Sequence, residues 1–454
     1  MSSGSRRGGN VYREPGSAAA DLFERARRVL PGGNTRTTVY SAPYPPYAAR
    51  GRGAVIVDAD GEERLDFVNN YTALIHGHAD PDINEAVIRQ LADGVAFAMP
   101  TEHEIALAEL LTERVPSLQQ VRFTNSGTEA VMMAIKAARA YTGRPRIAKF
   151  DGCYHGSYDF AEVSTQSSGK PGEDGFPVAT PYTGGTPQAV LDSVVVLPFN
   201  DIDGTERLIE QHRDELAAVL IDPNPRSLGL YPAEPAFLQR LREITRAYGI
   251  VLIFDEVISL RSDYGGMQSV LGVTPDLTAM GKIIGGGFPV GAVGGSAEVM
   301  SVFDPTGGPP RAPHGGTFNA NPVTMVAGLT AMRKLTPAEF DRLATLGQQL
   351  RAGVEEVLRE AGVPGQVTGY GSLFHIHLHQ RPLADYRNSV LSAQERAFVG
   401  RVHEALMGRG IFITPALFGC LSTPMGVPEV EAFVDAFAAA LQDARGLEHH
   451  HHHH

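Results

Sequence analysis

One alternation runs through the middle of the chain and restricts what it can fold into. Short apolar runs at 121–124, 147–150, 194–197, 217–221 and 250–254 are each closed by polar residues, and helical stretches such as 129–141 and 235–248 lie between them. The runs are mostly apolar on both faces, so both faces of the strands must be covered. A mostly parallel sheet with helices on both sides meets that demand, and the expected class is α/β. Such sheets bind ligands in the crevice beyond the carboxyl ends of their strands. The chain puts its unusual residues there: Asn125-Ser126-Gly127-Thr128, Tyr154-His155, Asp222 and Asp255.

The flanks read differently. Residues 1–16 are rich in Ser, Gly and Arg with no apolar stretch after them, the signature of a disordered lead and not of a signal peptide. Residues 18–30 carry apolar positions at helical spacing, ended by Pro31-Gly32-Gly33, and from about Val55 two short strands flank Asp58-Ala59-Asp60-Gly61. From about Thr324 a long helical pattern begins, followed near Val367 by strands and two more helices up to Ala444, as in a smaller α+β domain. Leu447-Glu448 and the six histidines 449–454 are an expression tag. At roughly 150 residues per domain the length predicts two or three domains.

A formal net charge of −12 without basic clustering argues against a generic nucleic-acid or membrane-surface binder. No apolar run approaches the ~20 residues of a membrane span. Two cysteines, Cys153 and Cys420, cannot build a disulfide framework, so a reducing compartment and a soluble, cytoplasmic protein are expected.

The chemistry centres on Lys282, one of five lysines against 34 arginines, in Met-Gly-Lys-Ile-Ile-Gly-Gly-Gly (280–287). Its apolar neighbours favour a desolvated amine of lowered pKa, able to form an imine, over a surface lysine that snorkels. Asp255 ends an apolar strand, where a buried carboxylate needs a partner: a structural arginine, or a pyridinium N–H. A lysine that can form a Schiff base and a carboxylate that can hold a pyridinium are the two protein groups pyridoxal phosphate (PLP) chemistry needs most. Asn125-Ser126-Gly127-Thr128 opens a helix and is either a capped helix start or an anion site; it is neither a Walker A loop nor a dinucleotide fingerprint. Tyr154 either packs or stacks on a flat ring. Gly315-Gly316-Thr317-Phe318-Asn319-Ala320-Asn321-Pro322 is a second hydroxyl-bearing glycine loop before a helix. His375, His377 and His379 alternate on one strand face; a solvated face is expected over a metal site, and no metal is assigned. Cys153 is assigned to packing.

Asn-Ser-Gly-Thr-Glu-Ala (125–130), Tyr-His-Gly (154–156), Phe-Asp-Glu-Val (254–257), Gly-Lys-Ile-Ile-Gly-Gly-Gly (281–287) and the 315–322 loop, in this order, resemble the class III PLP-dependent aminotransferases. The likeness is to the branch that holds glutamate semialdehyde aminomutase and β-amino-acid transaminases, and it runs from about Leu30 to about Ala440. It implies PLP fold type I: a large domain at 61–323, and a small domain made of 324–446 with the N-terminal segment 17–60. It also implies a homodimer with shared active sites. By this likeness Lys282 is the Schiff-base lysine and proton shuttle, and Asp255 pairs with the pyridine nitrogen. Ser126, Gly127 and Thr128 hold the phosphate with Thr317 of the neighbouring subunit, while Tyr154 and Val257 cover the two ring faces.

Departures from the family pattern bear on the substrate. The aminomutase has a glutamate where this chain has Gly419, which counts against intramolecular amino exchange. Arg36, in Pro31-Gly32-Gly33-Asn34-Thr35-Arg36, matches the arginine that clamps the carboxylate of a β-amino acid. The arginine that such enzymes carry after the Pro415 equivalent is replaced by Ala416 and Leu417. Asp222-Pro223-Asn224-Pro225-Arg226 stands where relatives show Glu-Pro and small residues, so Arg226 either restores a carboxylate site or the pocket is more apolar and takes amines. The expected activity is transfer from a β-amino acid or amine to a keto or aldehyde acceptor. The alternatives are a semialdehyde-type 2,1-aminomutase, an idle PLP-binding protein, and a cofactor-free Schiff-base lysine enzyme.

Overall fold

The computed structural model describes residues 9–384 and 386–452. Seven strands build the main sheet: β1 (Gln120–Thr124), β2 (Arg146–Phe150), β3 (Val194–Leu197), β4 (Leu216–Ile221), β5 (Val251–Asp255), β6 (Leu277–Gly281) and β7 (Gly291–Gly295), in the spatial order β1-β7-β6-β5-β4-β2-β3. All neighbours from β6 through to β3 pair in parallel, and β7 runs antiparallel between β1 and β6. Helix α1 (Gly127–Thr142) covers one face with Val131, Met133, Ile135 and Ala138; helix α2 (Pro235–Ala247) covers the other with Phe237, Leu238 and Leu241. The expected α/β sheet is present.

Two of its strands were not legible as such. β6 and β7 carry glycines where strands favour branched side chains. The sheet needs them bare, since a Cβ at Gly291 would lie 1.9 Å from the carbonyl oxygen of Ser126, and one at Gly295 2.1 Å from that of Asp276. β7 therefore sits tightly between β1 and β6, and brings the Ser126 turn close to the segment that carries Lys282.

Two smaller sheets flank this one. Ala48–Arg52, Val55–Asp58 and Glu63–Asp66 form a sheet with Ile411–Phe412, the last pairing in parallel with Glu63–Asp66. The N-terminal strands and the C-terminal part of the chain thus share one sheet, and the expected boundary at 60/61 falls inside a hairpin. Gln366–Thr368, Leu373–His377 and Phe418–Cys420 form the other. Behind them Phe67, Phe374 and Phe433 pack edge to face, with centroids 4.9 and 5.2 Å apart for the two pairs made by Phe433.

Three expectations need correction or placement. Residues 1–8 of the expected disordered lead lie outside the described residues, but from Asn10 the chain is folded: Val11–Arg13 form a 3₁₀ turn, Tyr12 is 2% exposed, and its carbonyl accepts the Ser17 hydroxyl at 2.7 Å. The helix Val427–His452 runs on into the tag region, and residues 453–454 lie outside the described ones. The histidine strand face is not solvated. His377 and His379 are buried, and the His375 and His377 rings stand 4.1 Å apart. Each finds a backbone partner, His375 Nε2 at Ala416 O (3.1 Å) and His377 Nε2 at Gly229 O (3.0 Å), while His379 Nδ1 accepts from Arg381 N. Neutral imidazoles pack like other rings, although Nδ1 of His375 stays buried without a partner, and burial lowers His377 to about 4. No helix among the described residues is long and apolar enough to cross a membrane.

Gly291→Ala is expected to cost about 1–3 kcal/mol through overpacking. Gly400→Ala has open space around its Cβ within helix Ala393–Gly408 and is expected to stabilise by about 0.5–1 kcal/mol. Urea unfolding of the two variants beside the parent chain checks both signs.

Candidate active site

The crevice beyond the main sheet collects the expected residues. Asp255, the last residue of β5, is 6% exposed. Its Oδ1 accepts the Val257 N–H at 3.0 Å and its Oδ2 lies 2.7 Å from Nδ1 of His155. No arginine pairs with it among the described residues; the partner is His155, itself 2% exposed. Burial lowers the His155 pKa and the Asp255 carboxylate opposes this. A neutral ring has one N–H, and the hydrogen bond to Asp255 uses it, which leaves Nε2 buried with no partner. The Tyr-His-Gly motif by itself gives His155 no role. The signal that points to it is the need of a buried carboxylate for a donor.

The anion end is the N-terminus of α1. Ser126 caps it, accepting the Glu129 N–H at 3.1 Å and donating to the Glu129 carboxylate at 3.0 Å. The capped-helix reading therefore holds for the Ser126 hydroxyl. The N–H groups of Gly127 and Thr128 and the Thr128 hydroxyl have no protein partner among the described residues, which leaves three donors at the positive end of a sixteen-residue helix. Close packing joins this turn to the other motifs. A Cβ on Gly127 would meet Val257 at 3.0 Å, and one on Gly156 would meet the Thr128 hydroxyl at 2.5 Å. Tyr154 is 56% exposed at the crevice, and its phenol senses Asp255. Thr317 is exposed on its loop and makes no hydrogen bond to Ser126, Gly127 or Thr128 within the chain; Asn319 of that loop accepts from Asn125 at 2.6 Å.

Lys282 follows β6 with φ at 49°, a left-handed conformation rare outside glycine. Its amine is half-buried and donates to the Tyr71 carbonyl at 2.8 Å. Desolvation, then the charge of Arg226, lowers it to about 8, against the opposing pull of Asp255. Tyr71 belongs to a turn that sequence reasoning missed. Asn69, Asn70, Tyr71 and Thr72 all have positive φ, from 47° to 76°. A left-handed turn costs roughly 1–2 kcal/mol per residue, so the surroundings must over-determine it. Asp66 Oδ1 accepts the N–H of Val68 and of Asn69, and the buried Arg261 donates to the Thr72 carbonyl at 2.8 Å. The paired asparagines, which tolerate this conformation better than most residues, are its one trace in the sequence.

Both expected substrate arginines reach this centre, since each lowers the Lys282 pKa. Arg36 is exposed, donates to Asn70 Oδ1 at 2.7 Å and lies over the Tyr71 ring. Arg226 is half-buried over the Phe418 ring at 5.3 Å, and burial lowers its pKa. Neither has a carboxylate partner among the described residues.

The family pattern of the class III aminotransferases matches residues 39–417. The chain belongs to that family. It is 38% identical over 431 residues to the glutamate-1-semialdehyde 2,1-aminomutase of Desulforudis audaxviator (strain MP104C), a match covering 94% of this chain and 97% of that protein. A solved transaminase with PLP bound superposes with a TM-score of 0.88 at 45% identity, covering 94% and 97% of the two chains. The β-phenylalanine aminotransferase from Variovorax paradoxus superposes at 0.85 with 37% identity and 95% of each chain covered. PLP is the cofactor of this family of enzymes, and the crevice fits it. It offers free N–H groups for a phosphate, a cradle that a Cβ on Gly127 would fill, an oriented buried carboxylate and a lysine amine of lowered pKa.

His155→Phe leaves the Asp255 carboxyl without its buried partner. It is expected to cost the cofactor-free protein about 1–3 kcal/mol in denaturant unfolding. Unchanged stability would mean that this pair does not hold Asp255 in place.

Proposed function

We propose that this enzyme moves an amino group from a β-amino acid or amine to a keto or aldehyde acceptor, with Lys282 as the residue that bonds PLP. One observation carries the reading: a lysine amine lowered to about 8 stands between a buried carboxylate and two unpaired arginines. PLP supplies the electron sink that makes the carbon bearing the amino group acidic. Asp255, held by His155, keeps a proton on the ring nitrogen. The N–H groups of Gly127 and Thr128, with the Thr128 hydroxyl, hold the phosphate beside Ser126. Tyr154 and Val257 cover the ring faces. Lys282 would hold the cofactor, and its amine would serve as the base and acid that moves the proton at the carbon bearing the amino group.

Arg36 and Arg226 favour a substrate carboxylate over a plain amine: neither has a carboxylate partner among the described residues, and the half-buried Arg226 binds an anion at little further desolvation cost. The aminomutase reading rests on the identity to the Desulforudis audaxviator protein. Against it stands Gly419, where a Cβ would lie 2.6 Å from the Phe374 ring, so the glutamate of the aminomutases has no room.

A homodimer belongs to the same proposal. Ile88, Leu91, Met99, Ile105 and Phe318 are more than half exposed, and a groove of about 710 Å³ lies between Ile105 and the Gly315-Gly316 loop. A second copy on this face would cover them and bring its Thr317 toward the phosphate site.

The purified enzyme is expected to take up PLP with a visible absorbance band that Lys282→Ala lacks; a colourless parent chain that ignores added PLP sinks the proposal. The neutral amine is the reacting form and its fraction grows as pH rises. The rate of PLP uptake is therefore expected to climb about tenfold per unit below pH 8 and to level off above it. A lysine at its ordinary value would still be climbing at pH 10. Arg36→Ala and Arg226→Ala are each expected to lower kcat/KM for carboxylate substrates about ten- to a hundredfold, and to leave simple amines within about threefold. Equal losses on both substrate classes would refute the clamp.

A further inference from the structure

Asp222 and Asp255 stand at the ends of neighbouring parallel strands. Ile221 of β4 pairs with Phe254 of β5, so the two aspartates are the next residue on each strand. Adjacent strands run only about 4.8 Å apart. The two carboxyls are unequally supplied with donors. Asp255 receives His155 and the Val257 N–H; Asp222 receives one N–H, from Asn224, at 2.9 Å on Oδ1. The charges that act on Asp222 are those of Asp255 and Glu256, both negative, and the nearby Cys153 thiol is pushed up by burial. Two carboxylates this close in an interior do not both ionise, and the one with fewer donors keeps the proton. Burial and then Asp255 accordingly raise Asp222 well above the usual carboxylate range. Its Oδ2 has no hydrogen-bond partner among the described residues and is not sealed from solvent, so it is open to a further partner.

PLP presents a phosphate, a ring nitrogen, a carbonyl and a phenolic oxygen. The first three are matched by the free donors of α1, by Asp255 and by Lys282. The phenolic oxygen is the acceptor left over. When deprotonated it is an anion, which an ionised carboxylate would repel and a carboxylic acid would bind. We propose that Asp222 carries a proton at neutral pH and donates it as a hydrogen bond to the phenolic oxygen of PLP, an inference that rests on the PLP-binding role given to Lys282 above. Asp222 and Asp255 then serve opposite needs of one ring, the ionised member at its nitrogen and the neutral member at its oxygen.

The pH midpoint of the visible band separates this arrangement from its rivals. It reports the proton on the Lys282 nitrogen, which the phenolic oxygen helps to hold. Removing a hydrogen bond donated to that oxygen makes the oxygen a stronger acceptor and raises the midpoint; removing a negative charge lowers it. Asp222→Asn keeps an N–H donor and is expected to leave the midpoint within about 0.3 units and PLP affinity, by equilibrium dialysis, within about threefold. Asp222→Leu has no donor and is expected to raise the midpoint by about one unit and weaken PLP binding about tenfold. If Asp222→Leu does not fold by circular dichroism, Asp222→Ala carries the same expectation. A downward shift in Asp222→Asn means an ionised Asp222, and no shift in any variant means a structural one; either overturns the proposal. A parent enzyme without a visible band overturns the role of Lys282 instead.

Discussion

A single buried guanidinium ties the parts of this molecule together. Arg261, 1% exposed, lies just beyond β5 and donates to the Thr72 carbonyl, the Ser372 hydroxyl and the Leu421 carbonyl. The main sheet, the left-handed turn at 69–72 and the smaller three-stranded sheet are thus joined through one group. Its partners are neutral oxygens, so its charge is solvated by dipoles and not by a carboxylate, and burial lowers its pKa. Removing it would strand buried acceptors on both sides and release a turn that is unfavourable by itself. That turn gives Lys282 its carbonyl partner at Tyr71 and Arg36 its amide partner at Asn70. The geometry of the centre and of one rim arginine therefore depends on the same strained segment.

Charge is layered in the crevice. Carboxyls sit beneath, at the ends of β4 and β5, and guanidinium groups stand at the rim, with Lys282 between them. The layering suits a ligand that is cationic at its ring nitrogen and carries a substrate anion at its far side. It also lets a chain of net charge −12 attract carboxylates, because the local field at the rim is set by unpaired arginines and not by the distant surface.

What could be read in the sequence follows from where side-chain chemistry and backbone geometry coincide. β3 to β5 announce themselves because consecutive apolar residues, mostly Val, Ile and Leu, have no other use than cover on both faces. The residues at their ends, Asp222 and Asp255, were placed for the same reason. β7 stayed hidden because contact between backbones, as at Gly291 against Ser126, erases the side-chain pattern that marks a strand. The 69–72 turn hid because its conformation is imposed by Arg261 and Asp66 from a distance. The histidine strand misled because alternation signals a face without saying which environment the face meets. The carbonyls of Gly229 and Ala416, remote in sequence, offset the cost of burying that face.

The rim of the crevice is built by packing between the main sheet and the small sheet. Arg226 comes from the segment after β4 and lies over the Phe418 ring of the small sheet. A guanidinium on that segment, resting on a ring of the small sheet, has fewer conformations open to it than one on an exposed loop, so less entropy is lost when a carboxylate binds. The ring it rests on belongs to the strand in which Gly419 leaves room for Phe374 and none for a glutamate. The position of Arg226 and the space at Gly419 are thus set by one packing unit. The same unit that leaves no room beside Gly419 therefore also seats Arg226, the cation proposed above to meet a substrate carboxylate.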